Sequence, residues 1–373
     1  MQKYIIMVQL KHIAAHIESV APPSLQESYD NSGLLIGNPE MEITGVLTCL
    51  DSTEEVLDEA IARGCNLVLA HHPIIWGGLK RITGSSTTER VVEKAIKNNI
   101  AVYACHTNLD KVRNGVNEKF ASLLGLTNTR ILKPEAGRLK KLVVFVPLSH
   151  AEAVREALCQ AGAGVIGNYD QCSFSTQGTG TFRGNEASNP YAGTPGSLHR
   201  EPEVRLEVVV PSHLQNPVIQ SMITAHPYEE VAYDIYPTDT VHPGIGLGMI
   251  GELSDGLSVP HFLQHLKNSM GLQSIRYANT RPDRMIKRVA VCGGAGHFLL
   301  REVVKQQADA YITSDVKYHE MMEAENRILY ADIGHYESER HTMHTLMEVI
   351  SQKFPNIALL FSERNTNPVH YFI

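Results

Sequence analysis

Residues 46–50, 66–70 and 100–105 are short, almost wholly apolar runs, and the segments between them carry apolar residues at helical intervals. Runs of that length, separated by amphipathic helices, predict strands of a parallel sheet covered on both faces. The helix over 52–63 begins with acidic residues and stops at Gly64, a residue suited to the position beyond a last helical turn. A loop rich in Gly and Thr leads to a second helix over 89–97. The last third repeats the rhythm. Strands are predicted over 288–292, 310–313 and 328–332, helices over 298–306 and 318–326, and a final helix over 336–353.

Between these thirds the texture changes. Strand 141–146, helix 151–161 and an extended stretch over 169–182 are followed by a Gly/Pro/Ser-rich segment over 184–196. Strand 204–210, helix 214–224 and strand 230–236 complete a β-α-β-β-α-β order, the ferredoxin-like pattern. The predicted architecture is therefore α/β. A two-part core over 1–133 and 245–373 holds an inserted ferredoxin-like domain over 138–242, with joints at 134–137 and 237–248.

Composition narrows the function. The chain has 373 residues, 43% hydrophobic and 20% charged, with a formal net charge of −7. This suits an ordinary soluble protein, and without a Lys/Arg block nucleic acid is not an expected partner. No apolar run reaches the roughly 20 residues that cross a bilayer, so no membrane role is expected. The first ten residues read as a short strand or first helix, not as a secretory signal, which predicts a cytoplasmic protein. Cys49, Cys65, Cys105, Cys159, Cys172 and Cys292 contain no C-x-x-C pair, so neither a disulfide framework nor a thiolate zinc site is expected. The chain carries 18 histidines, and their placement changes the picture.

In open α/β sheets, ligands gather outside the carboxyl ends of the strands. Asp51 follows the first strand, His71 and His72 the second, and His106 with Asp110 the third. In the last third, Gly293-Gly294, Ser314-Asp315 and Gly334-His335 occupy the equivalent places. Neighbouring side chains on a strand point to opposite faces, so adjacent His71 and His72 suit two ions side by side better than one ion. Taken alone, the pair also suits one packed and one exposed histidine. Pro73 holds His72 extended. Asp110 offers a carboxylate able to bridge two cations, although it also suits a turn, as His106 suits the core. His335 and Glu339, four apart on a helix, share one face and can converge on one centre. Each also suits a helix-terminal role.

Together these positions point to a metal centre built from His71, His72, Asp110, His335 and Glu339. The donors are nitrogen and oxygen, a set that suits zinc, iron, manganese, cobalt or nickel. Two such ions would support hydrolysis. Asp51, Asp315 and His319 are candidates for orienting ligands or shuttling protons. Gly293-Gly294-Ala295-Gly296 reads as a phosphate cradle or a tight turn, and Trp76 as a core residue in preference to a pocket-lining one.

His71-His72-Pro73-Ile74-Ile75-Trp76, His106-Thr107-Asn108-Leu109-Asp110, Ser314-Asp315-Val316-Lys317-Tyr318-His319 and Gly334-His335-Tyr336-Glu337-Ser338-Glu339 occur in that order. In these motifs the chain resembles the Nif-three-like dinuclear metal-centre family, also labelled GTP cyclohydrolase 1 type 2 homologues. His226-Pro227-Tyr228-Glu229-Glu230 marks the family's long form. The resemblance implies two divalent metal ions per subunit. Carried over by position, His72, Asp110 and Glu339 would hold one ion, and His71, His335 and Glu339 the other, with His106 adjacent. It also implies a homohexamer, an insert similar to trimeric signalling and copper-tolerance proteins, and opening of a purine ring by metal-activated water. Two functions are therefore expected: a metal-dependent hydrolase acting on a purine nucleotide or related ring, or a non-enzymatic metal-responsive scaffold whose insert binds a small effector or partner protein.

Overall fold

The fold was obtained as a computed structural model that describes residues 8–278, 281 and 283–372. Residues 1–7, and with them most of the expected first element, lie outside the described residues. The chain divides into two compact units, Met1–Lys133 with Gly244–Ile373, and Pro134–Pro243.

The first unit contains two sheets. One has five strands in the order Ala358–Phe361, Gly45–Cys49, Leu67–Ala70, Ala101–Ala104 and Gly33–Ile36. The first four are parallel and the last is antiparallel. Gly45–Cys49, Leu67–Ala70 and Ala101–Ala104 are buried at every position, as strands covered on both faces must be. Glu54–Ala62 covers one face, its first turn capped by the Thr53 side chain and favoured by Glu54 and Glu55 at the positive end of the helix dipole. Leu10–Val20 buries Leu10, Ile13 and Ile17, spaced three and four apart, within the cluster around Val46, Leu67 and Tyr103.

The second sheet has six strands in the order Arg276–Ala278, Leu329–Asp332, Ala310–Thr313, Met285–Val291, Gly246–Ser258 and Thr127–Pro134. Its middle three are parallel. The chain thus enters and leaves the inserted unit through two neighbouring strands, and the expected joint at 237–248 is partly strand. The expected final helix is two helices, His335–Glu339 and Thr342–Lys353, with a break at Arg340, whose guanidinium donates to the Met270 carbonyl at 2.5 Å. That break lets the short first helix be positioned independently of the long one. The expected helix over 318–326 shrinks to Tyr318–Met322.

The second unit is a four-stranded antiparallel sheet in the order Tyr233–Pro237, Leu139–Pro147, His199–Pro211 and Ser173–Phe182. Helices Ala151–Gln160 and Gln215–Ala225 complete a β-α-β-β-α-β order. Val204, Leu206, Val208 and Val210 alternate along their strand and pack with Val154, Leu158, Val218 and Met222 from those helices. The intervening positions Glu203, Arg205 and Glu207 therefore face the opposite side of the sheet.

Candidate metal centre

In the first unit, the carboxyl ends of parallel strands from both sheets supply the centre. Leu67–Ala70 runs directly into His71 and His72, whose backbone N–H groups still donate to Cys49 and Leu50. Asp51 follows the neighbouring strand, and Asp110 ends the short helix Thr107–Asp110. From the other sheet, Leu329–Asp332 is followed by Gly334 and the helix His335–Glu339.

Glu339 is the hub and is 2% exposed. Its Oε2 lies 3.0 Å from His72 Nε2 and 2.9 Å from His335 Nε2. Its Oε1 lies 3.8 Å from His71 Nε2, which is itself 3.8 Å from Asp110 Oδ1. Three groups thereby bring ligand atoms within 4.8 Å of one another: His72, His335 and Glu339; His71, Asp110 and Glu339; and His71, His72 and His106. Strand alternation sends His71 inward to Asp110 and His72 outward to His335. The family resemblance pairs them the other way, His72 with Asp110 and His71 with His335.

Each imidazole is anchored through Nδ1, which leaves Nε2 for the centre. His71 Nδ1 donates to the Cys105 carbonyl at 2.8 Å, and His72 Nδ1 donates to Asp51 at 2.7 Å. His335 Nδ1 faces Asp315 at 2.5 Å, and His106 Nδ1 faces Asp30 at 2.8 Å. Such partners fix ring orientation and tautomer and raise ligand basicity. With its Nδ1–H committed, His71 presents a bare Nε2 that is buried with no hydrogen-bond partner among the described residues, and so is Asp110 Oδ1. Orphaned buried polar atoms are rare and costly. A cation between them satisfies both, so these residues fit a metal.

The electrostatics agree. Burial works to lower the pKa of His72 and His335, but bonds to Asp51 and Glu339 hold His72 up at about 9, and bonds to Asp315 and Glu339 hold His335 up at about 11. Burial lowers His71 despite Glu339. Burial also pushes Asp110 well up, and the Glu339 charge adds to that effect, whereas Glu339 is held well down by the three imidazoles against the effect of its own burial. A site that keeps one carboxylate charged and strains another towards protonation is short of positive charge.

Several side contacts were illegible in the sequence. Asp30 also accepts from Thr107 Oγ1 at 2.5 Å, tying an upstream loop to the His106 turn. Thr366 donates to Asp51 at 2.7 Å, and Asn367 to Glu337 at 3.0 Å. The Gly293–Gly296 turn packs directly against Glu339. Gly294 has φ +64°, and a Cβ there would lie 2.4 Å from Glu339 Oε1. His319 is exposed and joins none of the three groups. Trp76 is 52% exposed, with its ring edge-on to His106 at 5.2 Å, so the core expectation fails. Cys49, Cys65, Cys105 and Cys292 are buried, and all six cysteines are free thiols. No helix among the described residues is long and apolar enough to cross a membrane.

The match to known proteins spans both units. The family model for Duf34/NIF3 (NGG1p interacting factor 3) matches residues 8–368. The chain belongs to the Duf34/NIF3 family. A relative from Halalkalibacterium halodurans, named GTP cyclohydrolase 1 type 2 homolog, is 43% identical over 303 residues, 81% of each chain. One of the same name from Bacillus subtilis is 38% identical over 356 residues, 94% of this chain and 95% of its own. Among solved structures, a Bacillus cereus protein related to NIF3 superposes with a TM-score of 0.85 at 41% identity, covering 98% of this chain and all of the other. The α/β architecture is that of the family.

Proposed function

We propose that this Duf34/NIF3 chain is a metal-dependent hydrolase that holds two divalent cations across Glu339. The observation that carries the reading is the division of Glu339, one oxygen towards His71 and Asp110 and the other towards His72 and His335. Divalent cations bound there would supply Lewis acidity and bring the pKa of water towards neutrality.

The chain's own residues do the rest. Asp51 and Asp315 hold the Nδ1 protons of His72 and His335, so that each ring turns its Nε2 inward. A cleft of about 470 Å³ opens beside this pair, lined by Asp51, His72, Arg276, His335, Tyr336 and Tyr371 among others. That volume suits a nucleotide-sized ligand. Arg276 is mostly exposed while pairing with Asp332 at 3.0 Å, so its guanidinium can meet a substrate phosphate. Asp315 is half exposed at the cleft and is placed to pass a proton between the His335 ring and solvent. The name shared by the relatives supports a purine nucleotide, GTP first, as substrate. The active form is expected to be a cytoplasmic homohexamer, which sedimentation of the purified protein checks.

The test is turnover. Protein loaded in turn with zinc, manganese, iron, cobalt or nickel should consume GTP and release formate, and Glu339→Ala should not. Metal-loaded wild type that leaves GTP intact and releases no formate overturns the purine assignment.

A further inference from the structure

The inserted unit has a cavity that the metal reading does not use. Its volume is about 730 Å³, within the range of small-molecule sites, and it lies on the side of the sheet opposite the two helices. The floor includes Phe145, Phe182, Glu203 and Arg205, while Tyr191 and Tyr228 close it from the loops. The loop is braced. Gly196 N–H donates to the Gly184 carbonyl at 2.8 Å, and Asn189 N–H donates to the Glu229 carboxylate at 3.0 Å.

Glu203 is the unusual member. It is 7% exposed, and Tyr228 donates to its Oε1 at 2.8 Å. Its Oε2 has no hydrogen-bond partner among the described residues and lies where a Cβ on Gly180 would come within 2.0 Å. A glycine in the edge strand thus makes room for a carboxylate. Arg205, two positions along the same face, turns to Glu207 at 2.9 Å and lies 6.0 Å from the Phe145 ring centre, so it does not neutralise Glu203. Phe182 packs against Tyr228 with centroids 5.7 Å apart, and Tyr191 follows at 6.1 Å.

The His226-Pro227-Tyr228-Glu229-Glu230 motif builds this arrangement. His226 Nε2–H donates to the Phe145 carbonyl at 3.0 Å, which leaves Nδ1 to accept the Tyr228 N–H at 3.1 Å. A neutral histidine therefore sets the position from which Tyr228 reaches Glu203. A buried carboxylate with one neutral partner lacks the counter-charge that burial normally demands. Aromatic faces beside it attract cations. A planar cation with paired N–H donors matches both, because it meets a carboxylate through two parallel hydrogen bonds.

We propose that this cavity is a binding site for a small organic cation of the amidinium or guanidinium class, held by Glu203 between the rings of Phe182, Tyr191 and Tyr228. The proposal goes beyond the metal centre and does not depend on it. The test is calorimetric titration of the full chain with benzamidine, using benzoate and benzamide as anionic and neutral isosteres. Saturable binding of benzamidine, at least about tenfold tighter than either isostere and weakened at least about tenfold by Glu203→Gln, is expected. Absence of saturable benzamidine binding, equal binding of benzoate, or unchanged affinity in a folded Glu203→Gln variant would overturn it. If that variant fails to fold, the isostere comparison on wild type still decides.

Discussion

Glu339 and Glu203 are both buried carboxylates at the heart of a polar site, yet their surroundings are opposite. Glu339 faces three imidazoles, each aimed by a partner behind it, and a second carboxylate stands nearby. Glu203 faces aromatic rings and a single neutral hydroxyl. Clustered nitrogen and oxygen donors at short range suit an inorganic cation, whose charge is concentrated and whose bonds are directional. A lone carboxylate among rings suits an organic cation, whose charge is spread and whose body also needs burial. The kind of cation is thus set by what surrounds the carboxylate.

Removing the first hub should have the largest effect. Glu339→Ala should weaken zinc or manganese binding more than about a hundredfold, measured by competition with a metallochromic dye. An affinity within a few fold of wild type would mean that the imidazoles are a packing cluster. Removing the anchors should do less. Asp51→Asn and Asp315→Asn should each weaken metal binding about 10- to 100-fold, less than the loss of the hub itself.

Each variant should leave the other site intact. Glu203→Gln should keep the wild-type metal content, and Glu339→Ala should keep the wild-type affinity for benzamidine. Cross-effects beyond about twofold would show that the two sites are coupled rather than separate.

The smallest effect concerns His226. Burial lowers its pKa below the ordinary value of 6.5, against the opposing bond to the Phe145 carbonyl. Folding therefore favours the neutral ring, so this residue contributes stability above pH 6.5 that is lost as pH falls through the depressed folded value. The Tyr228 N–H bond should break on protonation and cost about 0.5–1.5 kcal/mol, seen as an acid-side decline in denaturant stability that His226→Gln lacks. A His226→Gln variant with the same acid-side decline would assign it to other groups.

Much of the core was legible because its central strands are nearly all apolar and candidate ligands follow several of them. The rule that chemistry gathers at strand ends singled out Asp51, His71, His72, Asp110, Asp315, His335 and Glu339, and the structure brings these side chains together. Two core strands that mix polar and apolar residues were not found. Thr127–Pro134 and Gly246–Ser258 carry no clean period, because they flank the insertion and are only partly buried. Asp30 and Thr366 were missed for another reason. Each reaches the centre from a loop or tail remote in sequence, and an acidic or hydroxyl residue in a loop has no local pattern to mark it. His319 is not brought to the cluster. It stands near Asp315 in the chain, but the Tyr318–Met322 helix carries it to an exposed position.

Metal stoichiometry decides whether Glu339 serves two cations. Chelator-stripped protein, dialysed to equilibrium against zinc or manganese and assayed by elemental analysis, should hold two ions per chain. His72→Ala should hold one, retained by His71, Asp110 and Glu339. A wild type that saturates at one ion, or a His72→Ala variant that still binds two with unchanged affinity, would contradict it.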